Sequence, residues 1–258
     1  MENLKIRSQI AVISLTIILG FSITGAIYLF SQNFLKSALG EKDKAVSAAN
    51  VTEEVKYYFL NARRNEKDFV IRLDGKYVKK HAATTEKVTD RLHQLNDTYS
   101  DSEIKSLIGQ VESTFIDYVD QFKRVAETWG IIGLTPKTGL RGKLRQTVHS
   151  VESELKKHDQ TELTVTMLMM RRHEKDFLMR LDPKYVGRME ERLNEFTEQL
   201  QRSNLTSATK SVLGERMQDY HDSFNELAKL RLQLVPETAK LSKVFAISTP
   251  IFEKLEKR

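Results

Sequence analysis

Arginine and lysine gathered on a helical face that also carries a glutamate are the side chains of this sequence best suited to chemistry with a partner. That chemistry is anion binding. The cluster occurs twice, as RRNEKDFVIRLDGKYV at residues 63–78 and RRHEKDFLMRLDPKYV at 171–186, with 12 of 16 positions identical at an offset of 108. Read at helical spacing, Val55, Phe59, Ala62, Glu66, Phe69 and Leu73 share one stripe, and Leu163, Met167, Met170, Glu174, Phe177 and Leu181 share its counterpart. A glutamate interrupts each apolar stripe. Arg63 and Arg171 stand one turn before it at the edge of the same face, with Arg64, Lys67, Arg172 and Lys175 flanking it.

Two readings of this cluster stay open. An arginine three residues before a glutamate can form an ordinary intrahelical pair worth a few tenths of a kcal/mol. Alternatively, the arginines line a pocket for an anionic guest, because the guanidinium fork matches a carboxylate bidentately. Arg231 favours the second reading, since it occupies a seam position that is Trp129 in the first copy, and a guanidinium among apolar neighbours needs a negative partner. Counting residues from the apolar N-terminal run to Arg63, and from Arg231 to the chain end, puts both roughly 40 to 50 Å above a membrane and predicts a shared pocket.

Enzyme signatures are absent from the sequence: it has no P-loop, no dinucleotide fingerprint and no nucleophile elbow. No catalytic role, cofactor or metal is expected. The one H-x-x-E, His149 to Glu152, lacks the paired partner helices of a di-iron bundle and reads as a polar surface. Without cysteine there is no thiol nucleophile and no thiolate metal site. The net charge of +6 raises nucleic acid as a partner, but the 41 basic residues are interspersed with 35 acidic ones along amphipathic segments, so no nucleic acid is expected. Met167 and Met170 fall on the stripe as core filler, while Met169 lies off it. Tyr118 and Tyr220, matched across the copies on buried faces, are expected to bond a backbone carbonyl or else to line a second polar pocket.

The elements that position these groups are helices. Only 11 Gly and 4 Pro interrupt the chain, and the fold class is all-α. Breakers and caps divide the exterior into helices at about 32–73, 76–98, 101–129, 140–181, 183–202 and 205–255. Asp182 is read as an N-cap with Pro183 as first helical residue, Ser100 with Glu103 as a capping box, and residues 130–139 as the loop between copies. The last helix carries a seam at alternating three and four spacing: Leu213, Met217, Tyr220, Phe224, Leu227, Arg231, Leu234, Thr238, Leu241, Phe245, Ser248, Phe252 and Leu255. A third-helix seam runs through Ile104, Ile108, Val111, Phe115, Tyr118, Phe122, Val125 and Trp129. DYVDQF at 117–122 matches DYHDSF at 219–224 at an offset of 102, so the second copy is about six residues shorter between its two motifs. The copies span about 34–131 and 140–240.

Residues 10–30 form an uncharged apolar run long enough at about 1.5 Å per residue to cross a bilayer. It exceeds the h-region of a cleaved signal peptide and no small-x-small site follows, so it reads as an anchor. Lys5 and Arg7 precede it, which puts the N-terminus in the cytoplasm and residues 34–258 outside the inner membrane, in the periplasm. Residues 1–33 are then the cytoplasmic start and the transmembrane helix. The closing PIFEKLEKR is still amphipathic, and a cytoplasmic output part is expected to follow.

The doubled RRxEKDFxxRLDxKY, the linking segment GLTPKTGLRGKLRQTVHSVE and the N-terminal anchor resemble the helical bimodular sensor domain of bacterial methyl-accepting chemotaxis proteins, which is also found on some histidine kinases. The resemblance covers residues 34 to about 255. It implies six helices in two stacked four-helix bundles, a homodimer, and small organic acids such as malate, succinate or citrate as ligands, with acetate in the outer bundle of some members. It assigns ligand binding to Arg63, Arg64, Arg171 and Arg172 with Arg231; the cluster itself adds Lys67. The outer site has no matching motif here. The implied function is detection of small organic acids in chemotaxis, with a histidine-kinase sensor or a ligand-free structural bundle as alternatives.

Overall fold

The computed structural model describes residues 6–256, and every element among them is helical. Lys5, used above for orientation, lies outside the described residues, as do the side chains of Arg7 and Leu255. Seven helices follow one another: α1 Ile6–Arg72, α2 Lys76–Thr98, α3 Ser102–Ile132, α4 Gly139–Lys157, α5 Thr161–Arg180, α6 Lys184–Arg202 and α7 Ser207–Glu256.

Helix α1 contains the apolar run and continues without a break into the first motif. Its side chains from 10 to 30 are all exposed, and among the described residues it is one helix long and apolar enough to cross a membrane. Within that run Thr16 and Thr24 donate their hydroxyls to the carbonyls of Val12 and Gly20 at 2.8 and 2.7 Å, which satisfies these two groups within the helix. The buried core begins at Ala48.

Beyond that point each helix buries its apolar stripe. Val55, Phe59, Ala62 and Phe69 on α1, and Leu163, Met167, Met170 and Phe177 on α5, are at most 2% exposed. The α7 seam is buried at Leu213, Met217, Tyr220, Phe224, Leu227, Leu234, Leu241, Ser248 and Phe252. Contacts fall into two sets. In the first, α1, α2, α3 and the second half of α7 meet, with Phe59 against Phe115, Phe245 and Phe252, and Phe69 edge-on to Phe122 at 5.7 Å. The second set joins α4, α5, α6 and the first half of α7, with Phe177 edge-on to Phe224 at 5.5 Å.

The repeat is visible in the backbone. Leu73 and Leu181 end their helices at φ of 50° and 51°, each donating its N–H to the carbonyl four residues back at 2.7 Å. Asp74 and Asp182 then accept the N–H of Lys76 and Lys184 through Oδ1 at 2.9 and 3.0 Å.

Three expectations need correction. The helix read over 140–181 is two helices, because the Leu155 carbonyl accepts from both His158 and Gln160 and Asp159 turns left-handed at φ 50°. Exposed Lys156, Lys157 and His158 give the chain no apolar anchor there, while Leu155 and Leu163, eight residues apart, keep helical phase across the break. The cap of α3 is Asp101 and not Ser100: its carboxylate accepts from Glu103 and Ile104 N–H at 2.8 and 3.0 Å. Asp182 serves its turn, but α6 starts at Lys184 rather than Pro183.

Candidate anion-binding site

Both motif glutamates are buried, and each is held by a tyrosine from the far end of its own repeat. Glu66 is fully buried, and its Oε2 accepts from Arg63 and, at 3.1 Å, from the Tyr118 hydroxyl. Glu174 accepts the Tyr220 hydroxyl at 2.6 Å and Lys175 Nζ at 2.5 Å. These tyrosines therefore bond to carboxyl groups, not to the backbone carbonyls expected from sequence. The reason is that helix carbonyls are already used along the helix, whereas a carboxyl group in the core needs donors. Burial first, and then the adjacent glutamate, raise both phenol pKa values, so each hydroxyl stays protonated and remains a donor.

Past this shared pair the copies diverge. In the first copy the network extends further: His81 Nε2 lies 3.3 Å from the Tyr118 hydroxyl, and Arg63 also donates to Ser242 Oγ at 2.7 Å with its guanidinium 5.1 Å from the Phe245 ring centre. His81 stacks on Phe122 at 4.0 Å, and burial lowers its pKa to about 4, so it is neutral at pH 7. In the second copy Met189 stands where the first has His81, and Lys175 takes over Glu174. Arg171 turns away to Glu152 of α4, 3.5 Å distant.

A cavity opens where that arginine points. It has a volume of about 200 Å³ and is lined by Pro136, Arg141, Arg145, Val148, His149, Arg171, Glu174, Lys175 and Leu178. Four permanent cations thus meet one carboxyl group that Tyr220 and Lys175 already occupy. In the first copy the second half of α7 stands where α4 stands in the second, and Phe245 packs over Arg63 in place of a cavity.

The loop before α4 delivers Pro136 and Arg141, and two glycines make it. Gly133 has φ of 106°, where a Cβ would sit 1.9 Å from the Thr138 carbonyl oxygen; Gly139 has φ of 57°, where it would meet the Ile131 oxygen at 2.4 Å. Arg141 Nη1 reaches back to the Gly133 carbonyl at 3.5 Å.

Of the residues assigned to ligand binding from sequence, Arg171 alone lines this cavity, together with Glu174 and Lys175 of the same motif. Arg64 is exposed, Lys67 is exposed with Glu66 at 3.6 Å, and exposed Arg172 lies 3.8 Å from Asp176. The pocket shared by Arg63 and Arg231 is not formed. Arg63 meets α7 at Ser242, eleven residues or about 16 Å along the helix from Arg231. Arg231 stacks over Trp129 at 4.6 Å, and among the described residues no carboxylate pairs with it. Desolvation, and then the charge of Arg141, lower its pKa. Its negative partner, required on sequence grounds, is replaced by the π face of Trp129.

Arg141 and Arg145 were missed, and His149 was read as surface. Their i, i+4, i+8 spacing within GLRGKLRQTVHSVE puts them on one helical face, which is the signal that finds them. His149, read as part of a polar surface, lines the cavity and lies 3.4 Å from Glu152. No group of three His, Asp or Glu side chains able to hold a metal occurs among the described residues. Compared with known proteins, the chain matches no family model and no curated protein sequence.

Proposed function

We propose that this chain is the anchored sensor region of a transmembrane chemoreceptor, of the helical bimodular type it resembles, and that it binds a small organic acid in the cavity between α4 and α5. The observation that carries this reading is the charge imbalance: Arg141, Arg145, Arg171 and Lys175 face a space in which the one carboxyl group is already satisfied. Arg171 and Lys175 have Glu152 and Glu174 as partners, but among the described residues no carboxylate pairs with Arg141 or Arg145, and a carboxylate guest supplies one. A volume near 200 Å³ is below the roughly 300 to 1,000 Å³ of drug-sized sites, which suits an acid of a few carbons.

In this reading the two contact sets are two four-helix bundles stacked along α7, the molecule is a homodimer, α1 spans the inner membrane through its apolar run, and the bundles stand in the periplasm. Ligand at Arg171 draws α5 and α4 together, and α7, packed against α4, carries the displacement toward the membrane. Malate, succinate and citrate are the acids to try first, with acetate as the small monoanion.

Calorimetric titration of the full chain in nanodiscs, in a buffer without phosphate, tests the proposal. Heat of binding with at least one of these acids, abolished in Arg171→Ala, is the expected result; no heat with any of them overturns it. A structural role is favoured only for the first copy, where Arg63 is already bonded to Glu66 and Ser242.

A further inference from the structure

Glu152 lies at the rim of the α4–α5 cavity and bonds the same groups an incoming anion must use. Its Oε2 lies 3.5 Å from Arg171 Nη1 and 3.4 Å from His149 Nδ1, both of which line the cavity. On its outer side Oε1 meets Lys156 Nζ at 3.2 Å, but that ammonium is 70% exposed and screened by water, while the Glu152 side chain is 25% exposed. Lys156, and then His149 and Arg171, hold the Glu152 carboxyl below its ordinary pKa, so it is ionised near neutral pH.

We infer that Glu152 is an internal competitor for Arg171 that biases the cavity against guests of higher negative charge. The inference rests on the proposed anion-binding function. Glu152 puts a negative charge beside Arg171 at the edge of a cavity that Arg141, Arg145 and Lys175 also line. A dicarboxylate offers these cations two carboxyl groups where a monocarboxylate offers one, and a tricarboxylate brings an extra negative charge beside Glu152. The contact between Glu152 and Arg171, at 3.5 Å, is long for an ion pair of the bidentate kind, so a carboxylate that grips Arg171 with both oxygens can displace it.

Titrations of succinate, acetate and citrate into the nanodisc-embedded chain at about pH 8, where all these carboxyls are ionised, test it. The wild type binds succinate more tightly than either competitor. Glu152→Gln, on a partly exposed side chain whose loss leaves the fold intact by circular dichroism, raises citrate affinity relative to succinate by about tenfold, the effect of removing one unit charge several ångströms from the guest. Glu152→Asp, which keeps the charge, retains the wild-type preference, and so does Glu154→Gln, whose carboxylate pairs with Lys157 and His158 away from the cavity. A citrate-to-succinate ratio unmoved in Glu152→Gln while the wild type binds acids overturns this inference and leaves the anion site standing. Wild-type protein that binds none of the three removes both.

Discussion

A carboxyl group buried beside an arginine can serve the fold, as in the first copy, or stand at the edge of a site for a guest, as proposed for the second. Arg63 is bonded to Glu66 and Ser242 and covered by Phe245, so removing it leaves Glu66 in the core with Tyr118 as its remaining close donor. Arg63→Ala should therefore cost about 3 to 5 kcal/mol of stability in chemical denaturation and leave acid affinity within twofold. Arg171→Ala should do the reverse, with acid affinity falling at least about tenfold while the denaturation midpoint shifts little, since its partner Glu152 can keep Lys156. His81 adds a pH dependence. Its pKa of about 4 in the folded state lies below the unfolded value of about 6.5, so the unfolded chain binds the proton more readily between these values. Stability is then lost as pH falls from about 6.5 to about 4, by on the order of 3 kcal/mol. His81→Met, the residue the second copy uses at Met189, should flatten that part of a stability-versus-pH curve; an unchanged slope would show that another group carries it.

At the scale of elements, the short loop between α3 and α4 decides where Arg141 stands. Gly133 at φ 106° lies against the Thr138 carbonyl with no room for a Cβ, so Gly133→Ala must open the loop. The expected cost is about 1 to 3 kcal/mol from backbone strain, together with weaker acid binding as Arg141 leaves the cavity wall. Gly130→Ala, three residues earlier on α3 with open space around it, is the control that should change neither quantity by more than a few tenths of a kcal/mol. The break at His158–Gln160 works differently: it folds α5 back along α4, so that Glu152 faces Arg171 and Arg145 faces Lys175 across one cavity. A continuous helix over 140–181 could not form this site.

For the whole molecule the question is how a site at the start of α4 reaches a membrane. Helix α7 touches α3, α4, α6 and α1, and its residues 207–256 run past both contact sets. Acid bound at 100-fold above its dissociation constant should stabilise the chain by about 2.7 kcal/mol, read as a rise in thermal midpoint that Arg171→Ala removes. Orientation is also open to measurement, because the chain has no cysteine of its own. Ala208→Cys, exposed at the start of α7, should react with a membrane-impermeant maleimide added to cells with a permeable outer membrane. Labelling that requires disruption of the inner membrane would contradict the proposed periplasmic placement.

Much of this was legible from residue order. The helix stripes, the seam of α7 and the doubled motif follow from a 3.6-residue period and from direct repetition, and these are local properties of a chain. The apolar run at 10–30 is equally local, a matter of length and composition. What tertiary structure alone decided is which arginine lines a cavity. Arg63 and Arg171 occupy the same place in motifs that match at 12 of 16 positions; the difference in their roles is made by what packs opposite, Phe245 and Ser242 of α7 for one, Arg145 and Glu152 of α4 for the other. Ser242 lies 179 residues after Arg63, and Glu152 lies 19 before Arg171. Whether a cation ends in a sealed core or at an open cavity depends on that long-range pairing, because solvation and counter-charge are set by neighbours in space and not by neighbours in sequence.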